Sequence, residues 1–171
     1  MGVWRNMIIR PSEKLARKLG EVPQRVVTPA ANPFADWTAR LFTVSRAQYI
    51  MLTNSRSLYT VVIHGAGVTD LSRFVTRAFG QLRDAMEEDA MGFLYHRLVS
   101  PALSSIVFAK SLSRSVTGSM NDLVNSAKCI LLNPDLSPWD ASHQLNRTPM
   151  GSLGYAFPVE AFRDMRIQEK E

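Results

Sequence analysis

The chain has 171 residues, of which 46% are apolar and 20% are charged, a composition that is typical of a folded globular protein and excludes an intrinsically disordered one. Its length is that of one domain, so we predict a single domain over residues 1–171. The one cysteine, Cys129, excludes a scaffold built on internal disulfides and favours a reducing compartment, which predicts a cytoplasmic protein. The sequence has no apolar run of roughly 18 residues and no signal-peptide pattern, so we predict no membrane partner.

The positive charge is concentrated in the first third of the chain. The net charge is +5, and residues 1–60 hold nine Lys and Arg against three Asp and Glu. A local surplus of this kind favours an acidic partner, although a modest positive charge also serves solubility. Nucleic acid and an anionic small molecule are therefore both candidate partners.

The first elements in chain order are a strand and a short helix. Branched and aromatic residues over 3–10 predict the strand, and Ser12 with the spaced leucines after it predicts a helix that ends at Gly20. The next segment, 21–36, contains three prolines, which remove backbone donors and disfavour a helix. We predict a long loop there.

Three apolar, β-prone runs follow at 37–44, 48–53 and 58–64. The breaks between them are short and polar, as hairpin connections are, so we predict three consecutive antiparallel strands. The third run is apolar on both faces, which predicts a central strand covered on both sides. After it, Thr69 or Asp70 begins a helix whose apolar residues follow the 3.6-residue period.

The second half of the chain gives weaker patterns. Residues 93–99 are ambiguous and are assigned as weakly helical, and 105–109 predict a strand. A second amphipathic helix follows the Ser-rich segment, with its apolar face running to Leu131. Two further short helices are predicted to begin near Pro138 and Pro158.

Together these elements predict an α+β fold. We expect a mainly antiparallel sheet of four to five strands with two principal amphipathic helices packed on it. The Pro-rich loop lies too early in the chain to separate two cores, and the sequence has no internal repeat.

Residues 110–122 join a predicted strand to a predicted helix and combine hydroxyls, a glycine and cations. Backbone N–H groups at a helix start, with a glycine that permits close approach, favour a phosphate or carboxylate. In this interpretation the arginine donates two parallel hydrogen bonds to the anion, and hydroxyls and backbone N–H groups donate the others. The predicted ligand-binding residues are Arg114, Ser115, Thr117, Gly118, Ser119 and Asn121. A purely structural alternative is that Ser119 caps the helix and Asp122 returns the hydrogen bond.

Other reactive side chains give no recognisable motif. The three histidines, His64, His96 and His143, lack the spacing of metal ligands, so we predict no metal. Cys129 is flanked by apolar residues, which predicts a buried, inert thiol. We predict no catalytic residue and no cofactor.

Three stretches of the sequence carry a family likeness: LFTVSRAQYIMLTNSRSLYTVVI at 41–63, SLSRSVTGSMNDL at 111–123 and LNRTPMGSLGYAFPVEAF at 145–162. Together they resemble an uncharacterised bacterial domain family of unknown function, over most of the chain from Ile8 to Phe162. The resemblance implies a compact bacterial protein whose gene is spread on mobile elements, and it implies no particular activity.

The sequence leaves three functions open. The first is a non-catalytic binding protein that holds an anionic ligand, such as nucleic acid, at the Ser/Arg segment. The second is a small hydrolase or nuclease in which His64 or His96 acts as general base beside that segment. The third is a protein-interaction or homo-oligomerisation module, which predicts an exposed apolar patch on the Pro-rich loop and the stretch 145–158.

Overall fold

The computed structural model describes residues 6–23 and 25–167. The strands are β1 (Asn6–Pro11), β2 (Asp36–Val44), β3 (Ala47–Asn54), β4 (Thr60–His64) and β5 (Ser105–Phe108). The helices are α1 (Glu13–Leu19), α2 (Leu71–Glu88), α3 (Gly92–Leu94), α4 (Arg114–Leu131), α5 (Pro138–Asn146) and α6 (Pro158–Arg163). A π-helical turn, Tyr95–Val99, and a 3-10 turn, Ser100–Ser104, lead from α3 into β5.

Most of the predicted elements are confirmed. Ser12 caps α1 and Gly20 ends it in a left-handed conformation with φ 72°, while Asp70 caps α2. The first predicted strand is confirmed for its described part, and its residues 3–5 lie outside the described residues. The two long amphipathic helices are α2 and α4, each of 18 residues.

The five strands form one mixed sheet in the order β4-β3-β2-β1-β5. The β2-β3-β4 meander is antiparallel as predicted, but β1 pairs in parallel with both β2 and β5. The prediction of a mainly antiparallel sheet is therefore wrong. The physical reason lies in the long connections 12–35 and 65–104, which carry helices and so allow parallel crossovers that a hairpin could not make.

Helices cover both faces of the sheet. On one face α1, α2 and α6 pack on a core that includes Trp37, Tyr59 and Phe162. On the other face α4 and α5 pack on a second core that includes Met51 and Val62. Because apolar side chains are buried on both faces, the strands carry nearly continuous apolar runs. Within the described residues no helix combines the length and apolarity needed to cross a lipid bilayer.

The strand predicted to be central, β4, lies at an edge of the sheet. Its free backbone groups are taken up by side chains of α5: Val62 N donates to Ser142 Oγ at 2.8 Å, and Thr60 exchanges two hydrogen bonds of 2.7 and 2.8 Å with the Asn146 amide. Both helical side chains are 2% exposed. The helix thus replaces a neighbouring strand, which protects an edge that would otherwise pair with another chain.

Replacing Asn146 with Ala removes both partners of the Thr60 backbone while leaving the helix intact. We expect the free energy of unfolding to fall by about 2–4 kcal/mol, because a buried N–H and a buried C=O lose their hydrogen bonds. Urea unfolding followed by circular dichroism measures the change. The matched control is Gln144→Ala on the exposed side of the same helix, and an equal loss in both variants would contradict the interpretation.

Candidate ligand-binding site

A buried ion pair joins β1 and β2, two neighbouring strands of the sheet. The Arg10 guanidinium on β1 donates from Nε and Nη2 to the two carboxylate oxygens of Asp36, the first residue of β2, with both distances 2.9 Å. The side chains are 3% and 7% exposed. A bidentate arginine-carboxylate pair fixes both distance and orientation, so it holds the start of β2 against the end of β1.

The same pair organises the three loops around it. The Asp36 carboxylate also accepts from Ser55 Oγ at 2.8 Å and from Ala30 N at 3.1 Å. The Arg10 guanidinium also donates to Lys110 O at 2.9 Å and to Thr28 O at 3.4 Å. The Pro-rich loop, the β3-β4 turn and the linker between β5 and α4 are therefore anchored to one charged centre.

One N–H group of the Arg10 guanidinium forms no hydrogen bond with the described residues. A guanidinium has five N–H groups, and four of them are used by the carboxylate and the two carbonyls. The second hydrogen on Nη1 has no acceptor among the described residues. Arg10 also lines a cavity, so this donor is a candidate for binding a ligand oxygen.

The cavity lies beside the pair and has a volume of about 320 Å³. Besides Arg10 and Asp36, it is lined by Pro29, Ala30, Pro33, Thr38, Ser55, Arg56, Ser111, Leu112, Ser113 and Val116. It opens where β1 and β5 end and α4 begins. The helix after β1 packs on one face of the sheet and the helix after β5 on the other, which is the topological position where open parallel sheets bind ligands.

The predicted start of the second amphipathic helix is wrong. Helix α4 begins at Arg114, and its cap is Ser113, whose Oγ accepts from Ser115 N at 3.2 Å and Val116 N at 3.4 Å. Neither Ser119 nor Asp122 caps the helix, because both lie inside it. The N–H groups of Gly118 and Ser119 come after the first four residues of α4, so they belong to the helical hydrogen bonds rather than to a free cradle.

The six predicted ligand residues all lie within α4, and none of them lines the cavity. Ser119 is buried, with its Oγ 2.9 Å from Ser152 Oγ, and Asn121 accepts a hydrogen bond from the Arg40 guanidinium. Thr117 Oγ1 donates to Ser113 O at 3.1 Å. Arg114 and Ser115 are exposed in the first turn. The role of these six residues in ligand binding stays a prediction. The cavity is lined instead by the three residues that precede them, Ser111, Leu112 and Ser113.

The histidines lie away from the cavity. The His64 ring is 5.4 Å from that of Tyr49 at the far end of β4, and His96 Nε2 is 3.8 Å from Glu87 Oε1. Neither lines the cavity or forms a hydrogen bond with the Ser/Arg segment, and the hydrolase hypothesis stays a prediction. The described part of the chain also has no group of three or more His, Cys, Asp or Glu placed to hold a metal ion.

Two further sequence expectations concern exposed residues. Cys129 is exposed on α4, so the prediction of a buried thiol is wrong; its apolar neighbours in sequence are spread around the helix rather than packed over it. On the Pro-rich loop Val22 and Val26 are 74% and 70% exposed, and Tyr155 is 76% exposed in the stretch 145–158. These exposed side chains are compatible with the interaction-module hypothesis, which stays a prediction.

The charge of Asp36 is needed to keep Arg10 neutralised. We expect Asp36→Asn to lower the free energy of unfolding by about 3–5 kcal/mol, because it leaves a buried guanidinium without its counter-charge. A double variant, Arg10→Met with Asp36→Leu, removes both charges and should be less destabilised than the single variant. Urea unfolding of both proteins tests this, and a double variant that is less stable than Asp36→Asn would show that burial of the charge is not the cause.

Comparison with known proteins identifies a family. The model of DUF6933, a domain of unknown function, matches residues 8–161, which confirms the likeness to an uncharacterised domain family. Neither the curated proteins nor the solved structures gave a match. Because the family model covers most of the chain, this protein belongs to the DUF6933 family.

Proposed function

We propose that this protein binds a small organic anion in the cavity beside the Arg10–Asp36 pair, and that it does so without transforming it. The observation that carries the proposal is the buried guanidinium in the cavity wall, with one N–H that no described residue accepts. Buried donors are normally paired, so a ligand oxygen is a natural partner for it. A donor on a charged group makes a stronger hydrogen bond to an anion than to a neutral acceptor.

The electrostatics around the cavity favour negative charge. Asp36 is neutralised by Arg10, while Arg56 lines the cavity, is exposed and forms no ion pair with described residues. The N-terminus of α4 adds a partial positive charge equivalent to roughly half an elementary charge. Arg114, one of the predicted ligand residues, adds its exposed cation in the first turn of that helix.

The walls of the cavity define the rest of the ligand. Pro29, Pro33, Leu112 and Val116 present apolar surface, and three serine hydroxyls supply polar contacts. Ligand sites commonly combine an apolar lining with a few convergent polar groups, and a volume of about 320 Å³ is at the small end of their range. The cavity therefore suits an anion with a compact apolar or aromatic body, of the size of a nucleoside monophosphate or an aryl carboxylate.

The lining residues favour binding over catalysis. Among them there is no imidazole or thiol, and the Asp36 carboxylate already accepts four hydrogen bonds. A serine nucleophile needs an adjacent base to become reactive, and none of the described lining residues is free to act as one.

A thermal-shift measurement with inorganic phosphate, a nucleoside monophosphate and benzoate tests the proposal. At a ligand concentration of roughly 100 times Kd, we expect the Tm to rise by about 5–10 °C with at least one probe. Arg56→Ala should reduce this rise, because it removes a cation from the cavity wall.

The control is Arg46→Ala, which removes the same charge from the β2-β3 turn at the opposite end of β2. It should leave the Tm rise unchanged. A second variant, Val116→Phe, should abolish the rise by filling the cavity without changing its charge. The absence of a rise with every probe, or an equal loss in Arg46→Ala, would contradict the proposal.

A further inference from the structure

The cavity adjoins two further depressions, and neighbouring depressions share lining residues. Arg56 lines both the cavity and a second depression of about 410 Å³, formed with the end of α6. Residues 164–167 line this second depression and also a third, of about 530 Å³, which lies beside Phe93. We call these three adjoining depressions the arginine track, after the five arginines among their lining residues: Arg10, Arg56, Arg97, Arg163 and Arg166.

The arginine track carries positive charge that the described residues do not neutralise. Two carboxylates, Asp36 and Asp164, line it, and Asp36 is committed to Arg10. None of the other four arginines is in an ion pair with a described residue. Arg163 and Arg166 donate to backbone carbonyls at 3.1–3.2 Å, which positions them without cancelling their charge. The side chains of Arg56 and Arg97 form no hydrogen bond with described residues.

We propose that the arginine track binds the backbone of a single-stranded nucleic acid, with one nucleotide seated in the cavity. The inference rests on the proposed function, because the anion site in the cavity holds one phosphate of the strand. Guanidinium groups match phosphate oxygens in pairs, and a groove lined with cations is the usual path of a single-stranded backbone. A flexible strand can follow three concave depressions, whereas a rigid duplex cannot enter them.

One aromatic side chain supports a nucleic acid over an acidic peptide. Phe93 is 67% exposed and lines the third depression together with Arg97. An exposed ring beside arginines is a stacking platform for a base, and stacking of this kind tolerates any sequence. Arg97 itself lies in the π-helical turn Tyr95–Val99, an irregularity found frequently at functional sites.

Fluorescence anisotropy with labelled single-stranded DNA and RNA of about 12 nucleotides tests the inference. We expect binding that weakens steeply between ~50 and ~200 mM salt, because bound arginines release counterions. Arg56→Ala and Arg166→Ala should each weaken binding and flatten the plot of log K against log salt by about 0.7. Phe93→Ala should weaken binding without changing that slope, since it removes stacking and not charge.

Arg46→Ala is again the matched control, and its affinity and salt slope should equal those of the unaltered protein. A blunt duplex of the same length should bind more weakly than the single strand. Equal loss in Arg46→Ala, or a duplex that binds as tightly, would overturn the inference. If polyglutamate binds as tightly and loses affinity in the same variants, the partner is an acidic peptide and the inference is also overturned.

The two proposals fail in distinguishable ways. If the oligonucleotides do not bind but small anions still raise the Tm, the arginine track is wrong and the cavity stands. If neither binds, both are wrong. If the oligonucleotides bind with sensitivity to Arg166→Ala but not to Arg56→Ala or Val116→Phe, the strand does not enter the cavity, and the inference as stated is overturned.

Discussion

The bidentate pair between Arg10 and Asp36 is the constraint on which the site depends. Moving two charges out of water is costly, and the cost is offset only when geometry and surrounding hydrogen bonds are nearly complete. Here the carboxylate accepts four hydrogen bonds and the guanidinium donates four. Satisfying the two charges therefore requires the Pro-rich loop, the β3-β4 turn and the β5-α4 linker to assume fixed positions, and these segments are the walls of the cavity.

The topology of the sheet explains why the site lies where it does. At the β4 edge, side chains of α5 form hydrogen bonds with the strand backbone, so this edge is covered by a helix. At β1 the chain places parallel strands side by side and sends the following helices to opposite faces. The resulting crevice cannot be filled by either helix, which leaves room for a ligand at the carboxyl ends of the strands.

Local sequence signals predicted the elements but not their arrangement. Helix caps such as Ser12 and Asp70 form hydrogen bonds with residues only three positions further along the chain. Hairpins are likewise marked by short polar segments between two strands, so both features could be predicted from the sequence. The parallel pairing of β1 depends on partners far along the chain, and no local pattern encodes it. The site was missed for the same reason: Arg10 and Asp36 are 26 residues apart, and each alone looks like a surface charge. The helix start was misplaced because Ser113 and Ser119 are both plausible caps.

The Pro-rich loop is attached to the ion pair through its backbone, by Thr28 O and Ala30 N. Main-chain groups are common to every residue except for the N–H that proline lacks, so this attachment does not depend on which side chains the loop carries. The loop side chains that line the cavity can thus change without loss of the backbone hydrogen bonds that attach the loop to the ion pair. Substitutions of the side chains at Pro29 and its neighbours can therefore change the shape of the cavity while the ion pair and the sheet stay as they are.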